Sequence, residues 1–171
     1  MLLILGAGAY YDVREHRIPN WWVMLGIITG ILTGILESEG FGGGAVFWEV
    51  SFRFFLRFAV VTALFFIFFV CRMIGAGDIK LAALICGYLG LSNGALAVGS
   101  GFLIGAFWSL FKMIVKGSFT ERFSCLLAYI RRVLHTGKLT AYYIPARDGN
   151  DAVIPLGICL FLGTAVYIMY R

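Results

Sequence analysis

The chain has few of the residues from which metal centres and disulfide frameworks are built. Only 13% of its 171 residues are charged, and it contains four cysteines, three prolines and two histidines. The cysteines lie singly inside apolar stretches without a C-x-x-C pair, so neither a zinc site nor a redox dithiol is indicated. We interpret them as small buried hydrophobic residues. The sequence therefore predicts a protein that uses no metal or other cofactor.

Hydrophobic residues are present in large excess. They make up 61% of the chain, and the mean hydropathy is +0.92. Soluble domains are about 45–50% apolar and about 25% charged, so this composition excludes an ordinary soluble domain. Since a spanning helix needs roughly 20 apolar residues, we predict a single domain over residues 1–171. Its fold is all-α, a polytopic membrane helix bundle with about six transmembrane helices. The apolar runs are Met1–Tyr11, Trp21–Leu36, Phe52–Cys71, Ile79–Leu91, Ala95–Val115 and Ala152–Tyr170.

Basic residues are distributed unevenly between the connections. Most of the 14 lysines and arginines lie in the first, third and fifth connections, whereas ESEGFGGGAVFWE, between the second and third runs, has none and is expected to be an exposed turn. Basic connections remain in the cytoplasm, so both termini are expected outside. The net charge of +5 is expected to meet an anionic lipid membrane, not nucleic acid.

The longest polar connection covers about residues 116–150. From Phe119 to His135, apolar residues recur at helical spacing and arginines occupy positions between them. This pattern favours an amphipathic helix lying in the cytoplasmic interface. A cytoplasmic extension packed on the bundle is the alternative.

Two aspartates lie at the ends of apolar runs. Asp12 follows the first run, and Asp78 precedes the fourth in IGAGDIKL. On the predicted topology both lie at the cytoplasmic boundary of the membrane, where ionisable groups are costly and usually functional. Two facing carboxylates share a proton, so that one activates water while the other donates to a carbonyl. Which aspartate holds the proton is left open.

Each aspartate alone also has a structural explanation. Asp78 precedes a helix and suits a cap or an ion pair with Lys80, and Asp12 suits a pair with Arg14 or Arg17. Their common depth and the special backbone residues beside them favour a joint chemical role. These backbone residues are the turn around Pro19, which reverses the chain into the second run, and the glycines before Asp78, which permit close approach of another chain.

These motifs together resemble the type IV prepilin peptidase family, membrane aspartic proteases of the GxGD type, in its short form without a methyltransferase segment. The resemblance rests on DVREHRIPN at Asp12–Asn20, GAGDIKL at Gly75–Leu81 and IPLG at Ile154–Gly157. It implies an aspartic endopeptidase of the bacterial cytoplasmic membrane, with Asp12 and Asp78 as the catalytic pair facing the cytoplasm.

The resemblance also implies the substrate and the supporting residues. The partners would be prepilin-like precursors with a hydrophobic N-terminal helix, which enter laterally from lipid and lose a short leader peptide. Methyl transfer is not expected. Lys80 is a candidate for tuning Asp78 or binding a carbonyl, with a membrane anchor as the alternative. The expected supporting residues are Arg14, Pro19, Asn20, Gly75, Gly77, Lys80 and Pro155.

Two other functions fit the same sequence. A noncatalytic pilus assembly factor would have the same topology with an idle pair of aspartates. A small transporter would use them as a proton relay, but it predicts charges near the membrane midplane and an inverted repeat. The sequence shows neither of these features.

Overall fold

Each predicted span contains a helix. The structure, a computed structural model, describes residues 1–15, 18–38, 43–71, 74–115, 124, 127–128, 131 and 156–170. These residues include six helices and contain no strand, so the predicted all-α membrane helix bundle is confirmed. The helices are α1 (Leu2–Glu15), α2 (Asn20–Glu37), α3 (Gly43–Val70), α4 (Ala76–Leu89), α5 (Leu91–Val115) and α6 (Leu156–Tyr170).

The helices fall into two length classes. The helices α2, α3 and α5 are long and apolar enough to cross a membrane, with 18, 28 and 25 residues. The helices α1, α4 and α6 have only 14, 14 and 15 residues. At about 1.5 Å per residue, each short helix covers roughly 21–23 Å of a hydrocarbon core about 30 Å thick. The chain is thus a helical membrane protein in which three helices have spanning length and three are shorter.

The third helix begins earlier than the sequence suggests. The stretch ESEGFGGGAVFWE was expected to be a turn, yet α3 starts at Gly43 and includes Phe47 and Trp48. Two contacts support this extra length. Glu49 pairs with Arg53 one turn later, and Val50 packs where Gly34 of α2 has no side chain. The prediction of a turn over the whole stretch was therefore wrong.

Helix α4 lies at the centre of the bundle. Its residues from Leu81 to Gly87 are all buried, and it contacts each of the other five helices. The sequence explains this position, because LAALICG is apolar around its whole circumference and a helix without a polar face is stable only when enclosed. The central packing of α4 fixes the position of the polar residues in its first turn.

Helix α6 packs closely along α5. Gly163 meets the backbone of Gly101, where an added Cβ would come within 2.2 Å of the Gly101 nitrogen. The Ser100 hydroxyl donates to the Gly163 carbonyl at 3.0 Å. This contact holds the middle of α6 against α5.

The predicted amphipathic segment at 116–150 lies outside the described residues, apart from Ser124, Leu127, Ala128 and Arg131. Its position in the membrane interface stays a prediction.

Candidate active site

Asp12 and Asp78 come together at one end of the bundle. Asp12 lies in the last turn of α1, and Asp78 is the third residue of α4. The two carboxyl groups are close enough to interact electrostatically. Helix α6 completes the site. The backbone of Gly157 in α6 donates a hydrogen bond to Asp12, and Cys159 of the same helix interacts electrostatically with Asp78.

The environment of Asp78 favours a neutral carboxyl group. The residue lies just ahead of the apolar run Ile79–Leu91, and its Oδ1 atom is buried without a hydrogen-bond partner among the described residues. Burial, together with the charge of Asp12, raises the pKa of Asp78 above its ordinary value. A hydrogen bond from the backbone of Gly75 opposes this shift but is the weaker effect. Asp78 is therefore suited to hold a proton at a pH where an exposed aspartate has lost it.

The bond between Gly75 and Asp78 also has a structural function. Gly75 is the N-cap of α4, and Asp78 is the third residue of that helix, so its carboxyl group satisfies an N–H group at the helix end. This capping bond is compatible with acid–base chemistry at Asp78, because it leaves the Oδ1 atom available to another partner.

Asp12 accepts a hydrogen bond from the end of another helix. The backbone N–H of Gly157 donates to Asp12 Oδ2 at 3.2 Å. An added Cβ on Gly157 would lie only 2.8 Å from the same oxygen. Gly157 belongs to the IPLG motif at Ile154–Gly157 but is not among the site residues that the sequence predicts.

The two predicted motifs contact each other directly. Pro19 has extended backbone angles of φ −64° and ψ 141° and stands immediately before α2. The chain reverses here as expected, because the Trp22 side chain donates to the carbonyl of Ile4 near the start of α1. The residue before Pro19, Ile18, is buried, and its Cγ1 atom lies where a Cβ on Gly77 would approach to 3.2 Å. Gly77 therefore permits close packing between the turn after α1 and the start of α4.

The predicted basic supporting residues bind neighbours at the edge of the site. Lys80 donates to the Asn20 side chain at 2.6 Å, and Arg14 donates to the Tyr10 hydroxyl at 3.1 Å. The first of these contacts links the start of α2 to the second turn of α4, where Lys80 lies two residues after Asp78. Pro155, the remaining predicted supporting residue, lies outside the described residues.

The chemistry available at this site is that of two unequal carboxyl groups. Within the described ranges, no group of three or more His, Cys, Asp or Glu side chains is arranged to hold a metal ion. One buried acid beside a second, hydrogen-bonded carboxylate is a suitable arrangement for general acid–base catalysis.

Comparison with known families identifies the family of the chain. A model described as the type IV leader peptidase family matches residues 1–110. The chain belongs to the type IV leader peptidase family. The predicted family membership is thereby confirmed, and the matched region contains both aspartates. No curated protein and no solved structure matches the chain.

Membership gives this membrane protein the general function of a leader peptidase. The match ends within α5, so α6 lies beyond it. The contact between Gly157 and Asp12 is thus a feature of the structure that the family match does not cover.

Proposed function

We propose that this chain is an aspartic endopeptidase that removes leader peptides from type IV pilin-like precursors, with Asp12 and Asp78 as the catalytic residues. The observation that carries the proposal is the meeting of these two carboxyl groups at one end of the bundle, in a member of a leader peptidase family. The burial of Asp78 and the charge interaction between the two groups are conditions under which a carboxyl pair shares one proton.

The pair supplies both proton transfers that amide hydrolysis needs. The ionised carboxylate takes a proton from water, and the resulting nucleophile attacks the scissile carbonyl carbon. The protonated carboxyl group donates to the carbonyl oxygen and stabilises the tetrahedral intermediate. Collapse of this intermediate releases the leader and the mature chain, and no metal or cofactor takes part.

The charge distribution supports a cytoplasmic position for the site. The end that holds the aspartates also carries Arg14, Lys80 and, in the last turn of α5, Lys112. Ends rich in lysine and arginine face the cytoplasm. We therefore place the site at the cytoplasmic face of a bacterial plasma membrane.

The loop before α4 provides an approach for the substrate backbone. Gly75 and Ala76 are exposed, although Asp78 beside them is partly buried. A precursor whose hydrophobic helix lies in lipid would present the peptide just before that helix to this loop. We propose that the substrate enters laterally and that its leader remains in the cytosol.

The proposal is tested by processing of a type IV pilin-like precursor coexpressed with the full chain. Asp12→Asn and Asp78→Asn keep the side-chain shape and remove the acid function, so each is expected to abolish cleavage at normal membrane levels. Glu49→Gln is the matched control, because Glu49 is an exposed acid in the first part of α3. It is expected to process normally.

Processing that continues in both aspartate variants would contradict the proposal and would favour a noncatalytic role in assembly. The mass of the mature N-terminus provides a second measurement. We expect an unmethylated product, and a methylated product made by this chain alone would contradict the assignment as a peptidase without methyltransferase activity.

A further inference from the structure

Gly157 occupies a special position at the start of α6. It is the second residue of that helix, where backbone N–H groups have no acceptor within the helix. Its N–H instead donates to Asp12 Oδ2 at 3.2 Å. The residue is buried, and an added Cβ would come within 2.8 Å of the same oxygen. The N–H group of Gly157 therefore binds the Asp12 carboxylate, and the absence of a side chain on Gly157 leaves room for that carboxylate.

This contact makes the two aspartates unequal. Asp12 lies at the carboxyl end of α1, whose exposed carbonyl groups disfavour a negative charge. The N–H of Gly157, at the positive end of α6, offsets this effect and favours the ionised form. By contrast, Asp78 has one oxygen buried without a partner among the described residues, and that oxygen is better accommodated with a proton.

We propose that Gly157 is a positioning residue that holds Asp12 ionised and oriented as the base, so that Asp78 is the acid. The inference rests on the proposed function and adds to it the direction of proton transfer and a residue from the last helix.

The assignment gives a balanced reaction. Asp12 takes a proton from water while the water oxygen forms a bond to the scissile carbon, and the carbonyl oxygen takes the proton of Asp78. In the second step Asp12 returns its proton to the amide nitrogen and the C–N bond breaks. The hydroxyl group of the intermediate gives its proton back to Asp78 as the new carboxyl product forms.

The variant Gly157→Ala tests this role in the purified full chain. The atom nearest to the new Cβ is the end of the Asp12 side chain, so the carboxylate is expected to turn away while the helices stay in place. Displacing a catalytic group lowers kcat, and we expect a loss of at least about tenfold with little change in KM. The acidic limb of the pH–rate profile should move to higher pH, because the Asp12 anion is less well stabilised.

Gly105→Ala is the matched control. Its added Cβ would meet Leu156 Cδ1 at 3.2 Å and Cys159 at 3.7 Å, so it disturbs the same turn of α6 without touching Asp12. We expect nearly normal kcat and an unchanged pH profile. If Gly157→Ala behaves like this control, or changes only KM, the inference is overturned.

Infrared spectroscopy of the purified full chain without substrate shows which aspartate is ionised and needs no assay of activity. At slightly acidic pH, Asp12→Asn should remove the band of an ionised carboxylate, and Asp78→Asn should remove the band of a protonated carboxyl group. The reverse assignment would overturn the inference, even if Gly157→Ala did not fold. If wild-type protein cleaves no precursor, the proposed function fails, whereas these spectra still establish which aspartate is ionised.

Discussion

Lys80 of α4 donates to the side chain of Asn20, the first residue of α2, across 2.6 Å. The two residues come from different motifs and are 60 positions apart in the chain. Their hydrogen bond ties the starts of α2 and α4 together within one turn of Asp78. Lys80 thus has a structural role that neither motif reveals alone.

A double-mutant cycle should detect this link. Lys80→Ala and Asn20→Ala are each expected to lower the free energy of unfolding by about 0.5–1 kcal/mol, since the donor is charged but the bond lies at the surface. The double variant should lower the free energy of unfolding by little more than either single variant does. Unfolding in mixed detergent micelles measures these values.

The same variants separate two roles for Lys80. Because the Lys80 ammonium group donates its hydrogen bond to Asn20, Lys80→Ala should leave the pH profile of processing unchanged. A shifted profile would show that Lys80 tunes Asp78 after all.

The helices of this bundle are predictable mainly because lipid leaves few alternatives. A run such as Ile79–Leu91 must satisfy its own backbone groups, and a helix does so locally. The start of α3 could not be predicted in this way, because Gly43 and Gly44 are poor helix formers. Its early start accompanies the contact of Val50 with α2, which depends on the tertiary structure.

The site was predictable to the extent that its side chains differ from their surroundings. Asp12 and Asp78 are acids at the ends of apolar runs, so their position in the sequence is informative. Gly157 acts through a backbone N–H group that every residue except proline has. The one available signal was a glycine just after Pro155 and Leu156, and only the packed structure shows which carboxylate it meets.

The stability of the protein should depend on the ionisation of Asp78. Its pKa is raised in the folded state, so the folded protein retains a proton that the unfolded chain loses above about pH 4. In the wild-type protein, the contribution of Asp78 to the free energy of unfolding is therefore complete at lower pH and declines as the pH rises toward the raised pKa. Asp78→Asn cannot ionise, so its thermal midpoint should exceed that of wild type increasingly over this range.

The comparison of thermal midpoints across pH has an internal control. Below about pH 3 the side chain of residue 78 is neutral in the folded and unfolded states of both proteins, so the difference between their thermal midpoints should be small and constant. A gap that is independent of pH would mean that the variant acts through packing and not through the charge of Asp78.

A polar contact between α2 and α4 should contribute to stability inside the bundle. The hydroxyl groups of Thr29 and Tyr88 are 2.6 Å apart, and that of Tyr88 donates to the Gly26 carbonyl at 2.8 Å. Hydrogen bonds between membrane helices average about 0.6 kcal/mol. Tyr88→Phe should therefore lower the free energy of unfolding by about 0.5–2 kcal/mol, whereas Tyr170→Phe, at a residue that is 91% exposed, should have no effect. Equal stability of the two variants would contradict this prediction.

The crossing of α5 and α6 should tolerate no side chain at Gly163. An added Cβ would lie 2.2 Å from the nitrogen and 2.5 Å from the Cα atom of Gly101, and a backbone cannot move aside as a flexible side chain does. Gly163→Ala should therefore separate the helices and cost about 3 kcal/mol or more.

Gly99→Ala is the matched control for this crossing, because an added Cβ there meets no atom within 4 Å. It should match wild type in membrane level and thermal midpoint, whereas Gly163→Ala should lose both stability and cleavage as α6 moves away from Asp12. Gly157→Ala should differ from both, since it is expected to lose cleavage while keeping its stability. If Gly163→Ala is as stable as Gly99→Ala, the close packing of α5 and α6 does not hold Gly157 in place.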